Sequence, residues 1–131
     1  MNGSRVLVIE DSPSQAEMIA EIARASGHDV SVYTSLALGV TQILELEAPE
    51  VVLLDLRLLD ERGQQIADGF HVCREIKRFS PDVAVIVVTA EDREDACEWA
   101  VLQGADAYLQ KPFEPDELNM LIEQVLELKQ V

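Results

Sequence analysis

The chain has 131 residues, 48% of them hydrophobic, and a formal net charge of -15 from 25 acidic and 10 basic residues. That length suits one domain with a core that needs no disulfide or metal to hold it. The charge disfavours nucleic acid and anionic membrane surfaces as direct partners, since both reward clustered Lys and Arg, and favours a basic partner surface or divalent cations. No segment has the length of a membrane span and no signal peptide is visible, so a cytoplasmic location is expected. Cys73 and Cys97, far apart and inside helical patterns, read as buried thiols of a cytosolic protein rather than a disulfide.

Arg5 to Ile9 is a first apolar strand, ending in Glu10-Asp11. Ser12 then caps a helix with Pro13 at its first position, where a missing N–H costs nothing. Ala16, Ile19, Ala20 and Ala23 give that helix an apolar face, and Gly27 stops it. Asp29 to Tyr33 alternates and is a second strand. Ser35 can cap a second helix through Leu36, Val40, Ile43 and Leu44, which stops before Pro49. Val51 to Asp55 follows, four apolar residues closed by a carboxylate. A run with no polar alternation reads as a strand buried on both faces, the type found inside parallel sheets.

Leu56 to Asp68 is polar and irregular. Phe70, Cys73, Ile76 and Lys77 trace a third helix. Val83 to Val88 is a fourth buried strand, ending in Thr89. Glu91 to Gln103 predicts a fourth helix with an acidic first turn and a buried stripe of Cys97, Ala100 and Val101, leaving Trp99 partly exposed. Ala107 to Leu109 is a fifth strand, followed by Lys111-Pro112-Phe113. Pro115 opens a last helix through Leu118, Leu121, Ile122, Val125 and Leu126. Five strands alternate with five helices, which predicts an α/β fold: a parallel sheet with helices on both faces.

In such a sheet, ligands sit beyond the carboxyl ends of the strands. Glu10, Asp11, Asp55, Thr89 and Lys111 all fall there. Facing carboxylates are costly unless neutralised, and Mg²⁺ commonly takes one or two of them together with waters and phosphate oxygens. A lysine and a hydroxyl nearby suit a phosphoryl group, and a carboxylate can itself be the nucleophile in phosphoryl transfer.

Across its whole length the chain resembles the receiver domain of the two-component response regulators. The matching pieces are Val8-Ile9-Glu10-Asp11, Val51 to Asp55, Val87-Val88-Thr89-Ala90, Gly104 to Tyr108 and Lys111-Pro112-Phe113. The resemblance implies a single receiver domain over residues 1–131, with a flavodoxin-like, doubly wound (βα)5 sheet. It implies that Asp55 accepts a phosphoryl group from a histidine kinase or histidine phosphotransfer protein. Asp11 would ligate Mg²⁺ directly, Glu10 through water, and Arg57 through its backbone carbonyl. Thr89 would bond a phosphoryl oxygen, Lys111 would pair with Asp55 and then the phosphate, and Tyr108 would be the aromatic switch. Lys111-Pro112 would be cis. Such a protein is a switch, catalysing no more than its own phosphorylation and dephosphorylation.

The sequence departs from the family at three points. Glu10 stands where Asp is commoner, a change the family tolerates. Leu59 stands where a proline is usual, and Asp68-Gly69 ends fourteen residues after Asp55, which makes that loop about six residues longer than usual. In this fold Arg57 and Glu91, opposite in charge, would flank the approach of attacking water and are long enough to pair across the pocket mouth and exclude it; the alternative is that both point into solvent. His28 and His71 read as structural residues. The helical face next to the fifth strand is acidic and lacks the bases with which DNA-binding relatives dimerise, so output is expected to pass to a basic partner. Two alternatives stand beside this reading. One is a receiver-like docking module that works without phosphorylation. The other is a Mg²⁺-dependent aspartyl-phosphate phosphatase, which Arg57 disfavours because that chemistry wants an acidic group there. A flavin or nucleotide binder would want a glycine- or hydroxyl-rich loop where Glu10-Asp11 stands.

Overall fold

The computed structural model describes residues 3–59, 65–90 and 95–129, with side chains left aside at 57, 59, 65–67 and 129. Five strands form one parallel sheet: β1 (Arg5–Ile9), β2 (Asp29–Tyr33), β3 (Val51–Leu54), β6 (Ala84–Thr89) and β7 (Ala107–Gln110). Their spatial order is β2-β1-β3-β6-β7. The chain therefore reverses direction across the sheet between β1 and β3, the point at which doubly wound sheets open a crevice. The five helices are α1 (Pro13–Ala25), α2 (Val40–Glu47), α3 (Gly69–Phe79), α4 (Ala96–Leu102) and α5 (Pro115–Lys129).

Strand periodicity divides the core in two. Val6, Val8, Val51, Leu53, Ile86 and Val88 face α1 and α5, where they meet Ile19, Leu118 and Ile122. Leu7, Ile9, Val52, Leu54, Val85 and Val87 face the other way, onto Ile43, Leu44, Val72, Cys73 and Ile76. Neither face of β1, β3 or β6 meets water beyond the first residue of β1, which is why these strands read as unbroken apolar runs. The alanines of α1, fully buried at 16, 20 and 23, let that helix approach the sheet closely.

Four features differ from the sequence expectation. Ser35 does not cap α2. Its Oγ accepts from the Ala37 N–H at 3.1 Å, and Gly39 N–H reaches the Leu36 carbonyl at 2.8 Å, closing a turn. Gly39 then takes φ 86°, a conformation suited to glycine, and the helix starts only at Val40. Among the described residues, the stretch after Asp55 holds two short strands: β4 (Arg57–Leu59) and β5 (Gln65–Asp68) pair antiparallel, with Arg57 opposite Asp68 and a register shift between Leu58 and Leu59. Leu58 is buried in the second core and ties this hairpin to the body of the fold.

The α4 stripe is also rotated. Ala96 and Ala100 are buried, whereas Val101 is 58% exposed. Two alanines one turn apart allow close approach to the sheet and turn the larger side chains outward. Lastly, Cys73 is buried as expected but Cys97 is exposed; both are free thiols. Among the described residues, no helix is long and apolar enough to cross a membrane.

Candidate functional site

Register places the site. Ile9 pairs with Leu54, and Leu54 with Val87, so the first residues past β1 and β3 stand side by side. The Asp55 N–H extends the ladder to the Ile9 carbonyl at 3.0 Å, and Glu10 N–H reaches the Tyr33 carbonyl at 3.1 Å. Lys111 N–H bonds the Thr89 carbonyl at 2.8 Å, continuing the β6–β7 pairing past Gln110. Backbone hydrogen bonds thus fix the roots of Glu10, Asp55, Thr89 and Lys111 on one edge. The peptide bond that follows, Lys111-Pro112, is cis as expected.

Glu10 is 2% exposed, and both of its oxygens are engaged. Oε2 accepts from the Ser12 N–H at 3.2 Å and Oε1 accepts from Lys111 Nζ. Asp55 is also buried, and its Oδ2 accepts from Lys111 Nζ at 3.3 Å, the pairing the sequence led us to expect. Asp11 is more accessible than either. One carboxylate oxygen each from Glu10, Asp11 and Asp55 can be chosen so that all lie within 4.8 Å of one another. Burial pushes the Glu10 carboxyl up to about 8. Lys111 opposes that rise, while the hydrogen bond with Asp11 and the charge of Asp55 add to it. The site gathers three carboxyl groups with one lysine among its lining residues, a donor set suited to a hard cation, which would favour their ionised forms.

Thr89 is fully buried at the end of β6. Tyr108, on β7, is half-buried and packs against the second core. An open cleft of about 220 Å³, lined by Glu10, Asp11, Ser12, Gln15, Asp55, Ala90 and Lys111, covers the acidic cluster. A larger cavity of about 560 Å³ lies at the opposite edge of the sheet, beside the first residues of β6. There Lys77 Nζ donates to the Val83 carbonyl at 2.7 Å and to Asp106 Oδ2 at 3.1 Å, so its charge secures the start of a strand.

Sequence reasoning missed Gln15. Its Oε1 is a third acceptor for Lys111 Nζ, across a sequence separation of 96 residues. The only local signal was Ser12, whose Oγ accepts from the Gln15 N–H at 3.5 Å and so fixes the first turn of α1 over the cleft. The backbone of Arg57 lies two residues past Asp55 in β4. Glu91 and the Arg57 side chain, the expected pair at the cleft mouth, lie outside what the structure describes. Trp99 turns toward α3 and lines a cleft with Phe70, His71 and Arg74, while its Nε1 donates to Asp95 Oδ2 at 2.7 Å. His28 is buried, with Nδ1 accepting from the Ser4 N–H at 3.1 Å, which fits a structural residue.

A doubly wound parallel sheet with an acidic cluster and a lysine at its switch point is the architecture of a phosphate- or cation-handling α/β protein. Comparison narrows that class. The model of the response regulator receiver domain matches residues 6–123. The DNA-binding response regulator MtrA of Mycolicibacterium smegmatis is 36% identical over 114 residues, covering 87% of this chain and 46% of that protein. The transcriptional regulatory protein BaeR of Escherichia coli is 31% identical over 125 residues, covering 95% of this chain and 49% of that one. The chain spans about half the length of these relatives. Among solved structures, a CheY-like response regulator receiver domain protein from Methanospirillum hungatei superposes with a TM-score of 0.85 over 98% of both chains at 23% identity, a likeness of fold. The chain belongs to the response regulator receiver domain family of two-component signalling systems.

Proposed function

We propose that residues 1–131 work as one phosphorylation-controlled switch, accepting a phosphoryl group on Asp55 from a phosphohistidine of a histidine kinase or histidine phosphotransfer protein. The observation that carries this reading is the gathering of the Glu10, Asp11 and Asp55 carboxyl groups, with the ammonium of Lys111 bonded to Glu10 and Asp55. An Asp55 oxygen attacks phosphorus in line. The donor's P–N bond breaks, and the imidazole nitrogen leaves with the electron pair and is reprotonated by solvent. Lys111, already beside Asp55, pairs with a phosphoryl oxygen. Thr89, on the adjoining strand, donates its hydroxyl to another, and Tyr108 follows that movement as the aromatic switch.

The three carboxylates fit Mg²⁺: Asp11 and Asp55 would hold it, with Glu10 acting through water and the Arg57 backbone carbonyl contributing. When bound, the cation neutralises charge on the phosphoryl oxygens. The state of Asp55 is read on the face made by α4, β7 and α5. Asp95, Glu98, Asp116, Glu117, Glu123 and Glu127 make those helices acidic, which suits a basic protein partner rather than direct nucleic-acid binding by this chain. The protein turns over no substrate beyond its own phosphoryl group, and it works in the cytoplasm.

Fluoroberyllate, a phosphoryl mimic, tests this reading. Bound ¹⁹F resonances should appear with Mg²⁺ present and vanish in Asp55→Asn. Bound resonances that survive Asp55→Asn, or that form equally well in EDTA, would contradict it.

A further inference from the structure

The ammonium of a lysine has three N–H donors and no acceptor. In Lys111 all three have an oxygen within reach: Glu10 Oε1, Asp55 Oδ2 and Gln15 Oε1. Two of these belong to carboxylates that the phosphoryl chemistry itself uses. The third is a neutral amide on the first turn of α1, held there by the Ser12 cap and lining the same cleft. With Glu10 and Asp55 alone, the ammonium would be drawn down between two buried carboxylates. Gln15 is exposed whereas Glu10 and Asp55 are buried, so the amide pulls from the more open side of the cleft, where an incoming phosphoryl group must enter. The amide is also cheaper to give up than the Asp55 carboxylate, since a hydrogen bond between two charged groups is the stronger one.

We propose that Gln15 is a positioning residue of the phosphoryl-transfer site. It holds the Lys111 ammonium toward the cleft mouth in the resting protein and yields its hydrogen bond to a phosphoryl oxygen when Asp55 is modified. This rests on the reading of Asp55 as phosphoacceptor. Gln15 need not touch the reacting atoms; it acts through Lys111.

Two measurements test it. The first uses metal-free protein and requires no phosphorylation: the exchange of the Lys111 ammonium with water, read from its ¹H–¹⁵N signal. Gln15→Leu, which has no acceptor, and Gln15→Asn, which is too short to reach, should both speed exchange. Gln15→Glu, which keeps an oxygen at the same reach, should restore protection. The second is the rate of phosphorylation by acetyl phosphate in saturating Mg²⁺. Losing the one hydrogen bond from the ammonium to the amide should slow Gln15→Leu by about threefold to tenfold, and the same substitution should have no further effect in a Lys111→Ala background. Unchanged Lys111 exchange in both Gln15→Leu and Gln15→Asn would overturn the proposal. So would a slowing by Gln15→Leu that persists undiminished without Lys111. If the wild type takes no phosphoryl group at all, the phosphoacceptor reading fails, while the exchange measurement still decides whether Gln15 holds Lys111.

Discussion

Glu10 and Lys111 carry the electrostatics of the site. A carboxyl raised from 4.5 to about 8 by burial stays protonated in the folded protein over a range where the unfolded chain has already lost its proton. The folded state therefore binds more protons between these values, and stability falls as pH rises through that window. In EDTA, the urea midpoint should drop from pH 5 to pH 8. Glu10→Gln, which cannot ionise, should flatten that slope and be the more stable protein at pH 8. Equal slopes for the two proteins would show that Glu10 is not the group responsible. At this scale the sequence showed Glu10, Asp11, Asp55, Thr89 and Lys111, because each lies within two residues of a strand end. It hid Gln15, whose importance comes from the facing of a helix turn and a loop 96 residues away. It also misjudged Cys97, since the rotation of a short helix is set by which side chains are small enough to approach the sheet.

Among the elements, the hairpin β4–β5 is the chief departure, and its closure is specific. Gly69 N–H donates to the Leu56 carbonyl at 3.0 Å. A Cβ added at Gly69 would fall 2.3 Å from the Leu56 Cα. The start of α3 is thus pressed against the residue that follows Asp55, and Asp68 caps the helix by accepting from the Phe70 N–H at 3.0 Å. The extra residues leave and return at one point, so the insertion leaves the rim in place. Gly69→Ala must push backbone from backbone and should cost about 1–3 kcal/mol, read as a lower urea midpoint with an unchanged slope. A neutral substitution would mean the contact is loose. The strands of the main sheet were legible because burial on both faces leaves an unbroken apolar signature. The hairpin was not, because its strands have three and four residues, too few to show a period. The late start of α2 was hidden as well: Ser35 resembles a cap until Gly39 breaks the chain four residues on.

For the whole molecule, net charge decides the kind of association. Four acids lie on α5, with Lys129 at its end, and the segment from Glu91 to Glu98 holds five acids against Arg93. Two copies meeting through α4, β7 and α5 would bring like charges together with few bases to offset them. Sedimentation with Mg²⁺ and fluoroberyllate should therefore show no tight symmetric dimer through this face, and weak self-association should not strengthen at low salt. A tight activated dimer that buries these helices would refute the claim. The central claim is that the rim of the sheet is a phosphoacceptor site, and the mass of the intact protein after incubation with acetyl phosphate and Mg²⁺ tests it most directly. The wild type should gain one acid- and base-labile phosphoryl group and Asp55→Asn none. A single phosphoryl group retained in Asp55→Asn would contradict it by placing the acceptor elsewhere, and a wild type that gains nothing with Mg²⁺ present would contradict it and leave the fold as a docking module.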